Sequence, residues 1–349
     1  MSTTFERKSR TLGRLVLALI FVSLGWGCLA RALNHDEEQF IAAGVLLARE
    51  GLLPYLHYPY FHLPNLVFVY AALFATNDFL LLTARSFNVL CACLLLVLLY
   101  AMTAARFAFL KEKRWLAAAL VTSIFALNPI FQFTAGRAWN HDLAMLSCLA
   151  ALACLFRSKR ATAGGRCLFL SGALLGVAVG TRLTFLPFFA PFLILSAIFA
   201  GTAKISFRDA LFFSAAFAIA LLPTLVLCAA APRAFLFDNF YSNGPLNIHF
   251  REATKPRNFL FDKLFFPIQQ LKSPNTVAVV VAFGYFACWV PFREGWRHLA
   301  RSPEILAWLL LAPVALVAGL APTPSYHQYF YPLIPLMILG GAYGMARLR

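Results

Sequence analysis

Apolar residues in this chain come in long blocks separated by short polar breaks, without the strict alternation of a membrane β-barrel strand. The blocks run to about 15–22 residues, close to the roughly 20 a helix needs to cross hydrocarbon. They place ten spans, at 12–30, 84–105, 115–135, 139–156, 167–181, 183–201, 210–231, 276–292, 305–321 and 329–346. The pattern predicts an all-α polytopic membrane protein. One more apolar stretch, 60–76, could count as an eleventh span, and charge decides the matter.

With ten spans and a cytoplasmic N-terminus, the inner segments are 1–14, 106–114, 157–166, 204–208, 293–301 and 347–349. Most of the 30 Lys and Arg residues lie in them, as the positive-inside rule requires. Making 60–76 a full span would turn the basic runs around Lys111 and Lys159 outward. That stretch is therefore read as a helix on the outer interface, and the first outer segment becomes long, about 31–83. Within it, Asn34 with Glu37 three positions on has the form of a capping box. An amphipathic helix follows over 36–50, ended by Gly51 and Pro54. Tyr55, Tyr58, Tyr60 and Phe61 suit a membrane interface, and Pro64 opens the second interfacial helix. The other large outer segment, 232–275, reads as a loop with a turn at Asn243-Gly244-Pro245.

Composition sharpens this picture without changing it. The chain is 61% hydrophobic and only 13% charged, with no extramembrane segment long enough for a separate soluble domain. It is thus read as one integral membrane domain, 1–349. The net charge of +16 reflects topology rather than nucleic-acid binding, because the basic clusters flank apolar helices. The eight cysteines show no CxxC spacing and read as small apolar packing residues. Arg7, Lys8, Arg10 and Arg14 precede the first apolar block with no small-residue cleavage site after it, so that block is read as a retained helix.

The helix centres are nearly free of charge, whereas the polar groups gather at helix ends on the outer side. Asp36, Glu37 and Glu38 begin the first interfacial helix, and His57 and His62 follow it. Arg137, Trp139, Asn140, His141 and Asp142 join the third and fourth spans, Thr181-Arg182 joins the fifth and sixth, and His327, Tyr329 and Tyr331 open the last. A transporter would put its ionisable groups near mid-membrane. A lipid-phosphate-linked substrate instead keeps its tail in the bilayer and its head at the interface. Arginines such as Arg137 and Arg182 suit the phosphate. Transfer to a hydroxyl needs a carboxylate to take the proton, and Asp36 is the natural candidate. Glu37 reads either as the capping-box partner or as a helper. Asp142 reads either as an N-cap or structural partner of Arg137, or as an orienting group. Glu38 reads as solvated. No residue pattern requires a metal or other cofactor.

In order along the chain, these motifs resemble the GT-C superfamily of membrane glycosyltransferases, and within it the protein O-mannosyltransferase and lipid A aminoarabinose transferase branch. The residues that carry the resemblance are Asp36-Glu37 after the first span, Arg49 to Tyr55, Tyr60-Phe61-His62-Leu63-Pro64-Asn65 and Thr83-Ala84-Arg85-Ser86. Asn128-Pro129 with Arg137 and Asp142, Gly172 to Pro187 with Arg182, and His327-Gln328-Tyr329-Phe330-Tyr331-Pro332 complete it. The resemblance covers about residues 12–345. It departs from the family at His62-Leu63-Pro64, where many members carry Lys before the Pro. It also lacks the large C-terminal soluble domain of some relatives.

The resemblance implies a GT-C-like bundle and inverting transfer of a sugar from a polyprenyl-phosphate donor to a lipid, glycan or protein hydroxyl. The active site would face outward from a bacterial inner membrane. By this resemblance Asp36 is the catalytic base and Arg182 a phosphate contact. From their place on the outer side, Glu37 and Asp142 are read as further catalytic candidates, Arg137 and His62 as further donor-phosphate contacts, and His141, His327 and Tyr329 as lining the substrate pocket. A flippase for a lipid-linked glycan and a non-catalytic protein of the same fold are the competing readings.

Overall fold

The computed structural model describes residues 4–158, 164–198, 206–254, 259–295, 303–322 and 325–347. The inner segments expected at 1–14, 157–166, 204–208, 293–301 and 347–349 fall partly or wholly outside them. Among the described residues the fold is helical throughout, with one isolated backbone bridge between Pro54 and Tyr58.

Helix α1 (Thr4–Ala30) leads into α2 (His35–Glu50) and α3 (Asn65–Phe74). The capping box forms as the sequence predicts: the Asp36 amide donates to Asn34 Oδ1, and the Asn34 amide donates to Glu37 Oε2. Gly51 ends α2 at φ 67°, the left-handed region that glycine adopts without strain. Helix α3 is 10 residues long, which at about 1.5 Å per residue is half the thickness of hydrocarbon. It lies against α2 at Gly44, where a Cβ would come within 2.6 Å of Tyr70 Cβ.

Helix α4 (Leu80–Arg106) ends in a 3₁₀ run, Phe107–Lys113, with Lys111 at φ 48° and ψ −112°. The chain reverses there. Helix α5 (Arg114–Ala126) folds back on α4, stacking Trp115 on Tyr100, and α1 packs on both. Asn128 caps the short α6 (Pro129–Thr134), its Oδ1 accepting from the Ile130 amide. Helix α7 (His141–Ser158) runs between α4 and α8 (Gly164–Thr181). A 3₁₀ turn, Leu183–Phe188, then leads to α9 (Phe189–Ile198), and α10 (Phe207–Ala220) meets α11 (Leu222–Ala230) at a bend of 58°.

The segment read from sequence as a loop, 232–275, is largely helical. It comprises α12 (Pro232–Leu236), a π-helical stretch Phe237–Leu246 that absorbs Pro245, α13 (Asn247–Thr254) and α14 (Phe259–Gln270). The wide turn carries Asn243-Gly244-Pro245 without breaking. Helices α15 (Pro274–Glu294), α16 (Pro303–Leu320) and α17 (Leu333–Arg347) close the bundle, α17 packing on both of the others.

Six helical stretches among the described residues are long and apolar enough to cross a membrane, or seven if the bent α10–α11 pair is one span. Ten were expected. The difference has identifiable sources: the apolar runs Leu183–Ile198 and Glu304–Leu320 are shorter helices, and the α4–α5 hairpin forms one continuous stretch, Leu80–Ala126. Large apolar residues face outward along the bundle, such as Leu19, Val22 and Trp26 of α1, where lipid rather than protein would cover them. The eight cysteines are unpaired.

The sharpest packing constraint is the crossing of α8 and α10. A Cβ on Gly172 would stand 2.2 Å from Phe213 O, and one on Gly176 would stand 2.6 Å from Phe217 O. Backbone oxygens cannot swing aside as a flexible side chain does. Gly172→Val is expected to cost about 1–3 kcal/mol through overpacking. Thermal unfolding of the detergent-purified protein checks this, with exposed Gly165→Ala as the control.

Candidate active site

The first turn of α2 divides its carboxylates by helical geometry. Asp36, Gln39 and Phe40 are spaced i, i+3, i+4 and share one face, and all three line a cavity of about 620 Å³. Glu37 is rotated by about 100° from Asp36 and points into the protein, where it is fully buried.

There Glu37 is saturated. Its Oε1 accepts from Arg85 Nε (3.0 Å) and the Ala138 amide (2.8 Å), and its Oε2 accepts from Arg85 Nη2 (2.8 Å) and the Asn34 amide (3.0 Å). The remaining Arg85 donors reach the carbonyls of Cys28, Arg31 and Ala32. All five guanidinium N–H groups are thus used, and one ion pair ties together α1, α2, α4 and the 135–140 turn. Burial alone would raise the pKa of Glu37; the Arg85 hydrogen bond and the two backbone amides outweigh it and hold the carboxyl below its usual range. Of the two roles read for Glu37, the contacts seen are those of the cap and anchor.

Asp142 is also taken up internally. Its Oδ2 accepts from the Gly136 amide and its Oδ1 from the Tyr331 hydroxyl, each at 2.8 Å, and it is not among the residues lining the cavity. Gly136 sits at φ 76°, with its carbonyl accepting from the Cys28 thiol. The turn 136–140 is therefore pinned by Glu37, Asp142 and Cys28. It holds Trp139, Asn140 and His141 on the cavity wall.

Opposite α2, the chain leaves α8 in an extended conformation at Arg182, which is 7% exposed. Its Nη1 donates to Asn140 Oδ1 (2.7 Å) and its Nε to Thr184 Oγ1 (3.0 Å), and the guanidinium lies over the Tyr329 ring at 5.2 Å. Burial lowers its pKa to about 10, which leaves it a cation at neutral pH. Among the described residues no carboxylate forms a salt bridge with it. Among them, Arg182 and Asp36 are the two charged residues that line the cavity. Asp36 is 38% exposed at its side chain and contacts His35 at 3.2 Å.

The other expected site residues separate into two groups. His141 and Tyr329 line the cavity with Asp36 and Arg182. His62 also lines it, stacked on Phe40 at 4.7 Å. Burial, then the Arg182 charge, pushes the pKa of His62 down to about 3, so its imidazole is neutral and offers a phosphate one N–H rather than a positive charge. Arg137 and His327 do not line the cavity. The Arg137 guanidinium lies between the Phe133 and Trp139 rings and donates to Phe133 O, and the His327 ring packs on Phe133 at 4.2 Å. Among the described residues no group of three or more His, Cys, Asp and Glu side chains is placed to hold a metal ion.

Sequence reasoning left out Gln39, Asn239, Asn247 and Gln328, which also line the cavity. Gln39 was accessible from its helical spacing to Asp36. Asn239 and Asn247 come from the 232–254 segment, which folds over the cavity and is fastened by the Tyr60 amide donating to Asp238 Oδ2 (2.9 Å).

Among the described residues the chain is an all-helical bundle with apolar helices long enough to cross a membrane and a cavity lined by residues at the start of α7, after the end of α8 and before α17, and it shares the GT-C fold of the solved structures it matches. It is similar to ArnT from Cupriavidus metallidurans, solved bound to undecaprenyl phosphate, with a TM-score of 0.64 and 17% identity over 97% of this chain and 60% of that one. It is also similar to the oligosaccharyltransferase AglB from Archaeoglobus fulgidus, solved with an inhibitory peptide and a dolichol-phosphate (TM-score 0.58, 16% identity, 98% of this chain and 50% of that one). An A. fulgidus oligosaccharyltransferase structure tethered to an acceptor peptide matches with a TM-score of 0.57 and 15% identity, over 96% of this chain and 49% of that one. The chain thus spans half to three-fifths of the length of these structures. No protein-family model and no curated protein sequence matches it.

Proposed function

We propose that this protein is a glycosyltransferase that moves a sugar from a polyprenyl-phosphate donor to a hydroxyl of a lipid, glycan or protein acceptor. The cavity would face the outer side of the membrane, with α2 and α3 on that interface and the N-terminus inside. The observation that carries the reading is Arg182. A buried guanidinium is costly without an anion, and this one faces a cavity in which, among the described residues, the sole carboxylate is Asp36. A phosphate supplies the missing charge, and two of the similar structures contain a polyprenyl phosphate.

In the proposed reaction Asp36 accepts the proton of the acceptor hydroxyl as its oxygen attacks the anomeric carbon from the face opposite the phosphate. The carbon–oxygen bond to phosphate breaks, and the electron pair leaves on the polyprenyl phosphate. Configuration inverts. The charge gained by the departing phosphate is stabilised by Arg182, held ready by Asn140 and Thr184. Asp142 acts at one remove, by fixing the turn that presents Asn140.

Arg182→Gln tests the reading. It is expected to weaken binding of sugar-free polyprenyl phosphate about 10- to 100-fold, the loss of one charge-assisted contact. Titration of the detergent-purified protein followed by native mass spectrometry measures this. Equal affinity in wild type and variant would sink the phosphate assignment.

A further inference from the structure

The polar groups of the cavity divide into those with partners and those without, and the second set has a common character. Trp139 Nε1, both ring nitrogens of His141 and Gln328 Oε1 are buried and have no hydrogen-bond partner among the described residues. Trp139 and His141 are 2% and 6% exposed, and all three residues line the cavity. Buried polar atoms are as a rule hydrogen-bonded, and leaving one unpaired costs about 1–3 kcal/mol. Four such atoms on residues that line one cavity point to a ligand that completes them.

Their chemistry restricts that ligand. The indole N–H is a donor, the amide oxygen is an acceptor, and a neutral imidazole is one of each. Hydroxyl groups, which both donate and accept, match this set; an ammonium cannot accept and a carboxylate cannot donate. Charge leads the same way. Among the described residues Asp36 is the one carboxylate lining the cavity, and Arg182 is the one cation. In the proposed reaction Asp36 serves the acceptor proton and Arg182 the phosphate, so neither is free for the sugar. An aminated sugar would bring an ammonium to a wall without a second carboxylate. An acidic sugar would bring a carboxylate that competes with the phosphate for Arg182.

We infer that the transferred group is an uncharged, hydroxyl-bearing sugar, read by Trp139, His141 and Gln328 as the specificity-determining wall of the cavity. The inference rests on the glycosyltransferase reading and deepens it, naming the substrate class and the residues that select it.

The test uses the full-length detergent-purified protein, with three short-chain polyprenyl-phosphate donors that carry a neutral hexose, an amino-hexose and a hexuronic acid, each offered with a mixed extract of membrane lipids and glycans as acceptor. Release of sugar-free polyprenyl phosphate is followed by mass spectrometry. The neutral donor is expected to react with kcat/KM at least about tenfold above the other two, the size of one unpaired buried polar group. His141→Ala and Gln328→Ala are each expected to lower kcat/KM for the neutral donor about 10- to 100-fold. Their affinity for sugar-free polyprenyl phosphate should stay within about twofold of wild type, which a general loosening of the fold would not allow. Trp139→Phe keeps the ring and removes the N–H, and should act in the same direction where the alanine variants accumulate poorly. Preference for the amino or acidic donor, with polyprenyl phosphate still bound, overturns the neutral-sugar inference and leaves the glycosyltransferase reading standing. Variants that lose donor turnover and sugar-free lipid affinity together overturn the assignment of the wall. Failure to react with any donor or to bind the lipid phosphate overturns both readings.

Discussion

Asp36→Asn is expected to lower the rate of transfer by about 10²–10⁴-fold while leaving the protein folded and able to bind polyprenyl phosphate. The substitution keeps the size of the side chain and the Asp36 amide that donates to Asn34 Oδ1, and removes the negative charge and with it the capacity to accept a proton. General-base catalysis contributes about 10²–10⁴-fold in rate, so kcat should fall by that factor. The lipid-phosphate affinity belongs to Arg182 and should not move. The carboxylate has no salt-bridge partner among the described residues other than the exposed His35, so the loss of its charge should cost little stability. Steady-state transfer and lipid titration on the same preparation separate the effects. A variant with wild-type turnover would remove Asp36 from the mechanism. Loss of turnover together with loss of lipid binding would point to a structural role.

The contrast with the next residue shows how far the sequence could be read. Periodicity and capping rules are local, and they located α2, its start at Asn34 and its end at Gly51 from residues adjacent in the chain. They also located the turn after α8 that presents Arg182. What they could not supply was direction across the bundle. The capping rule set Glu37 apart from Asp36, but it could not show that one faces a cavity while the other is locked to an arginine 48 positions away. Asp142, read as a site group from its place in one turn, is taken up by Tyr331, 189 positions away, whereas Arg137 is held by the neighbouring Phe133 and Trp139 rings. The 232–254 segment failed for a related reason. Its Asn-Gly-Pro reads as a turn by local rules, whereas packing over the cavity mouth and the Tyr60–Asp238 bond hold it helical. Hydropathy separated α4 from α5, which the structure folds into a hairpin, but gave no sign of the bend between α10 and α11. Buried polar groups whose partners are distant in sequence are the part of a site that a single chain keeps hidden.

Breaking the Glu37–Arg85 pair is expected to be the largest stability effect available in this protein. Removal of one partner from a buried ion pair costs about 3–5 kcal/mol, because the other charge stays buried without compensation. Here Glu37→Ala would strand Arg85 and would also remove the acceptor for the Ala138 and Asn34 amides. Arg85→Met would leave the Glu37 carboxylate with two backbone donors and strip the Cys28, Arg31 and Ala32 carbonyls of their partner. Both should lower the unfolding temperature and the yield of folded protein, and replacing both residues together should not restore it, since the five backbone groups remain unpaired. Acid should act in the same direction. The carboxyl of Glu37 is held below its usual range, so the pair contributes fully above that range and is lost as pH falls through the lowered value. A thermal-unfolding series from pH 7 downward should therefore show wild type losing stability in acid, and Glu37→Gln starting lower and losing less. The same variant separates anchor from catalyst. If Glu37 anchors the 135–140 turn, the molecules of Glu37→Gln that remain folded should retain turnover within about tenfold of wild type. A variant as stable as wild type but without turnover would return Glu37 to the reacting groups.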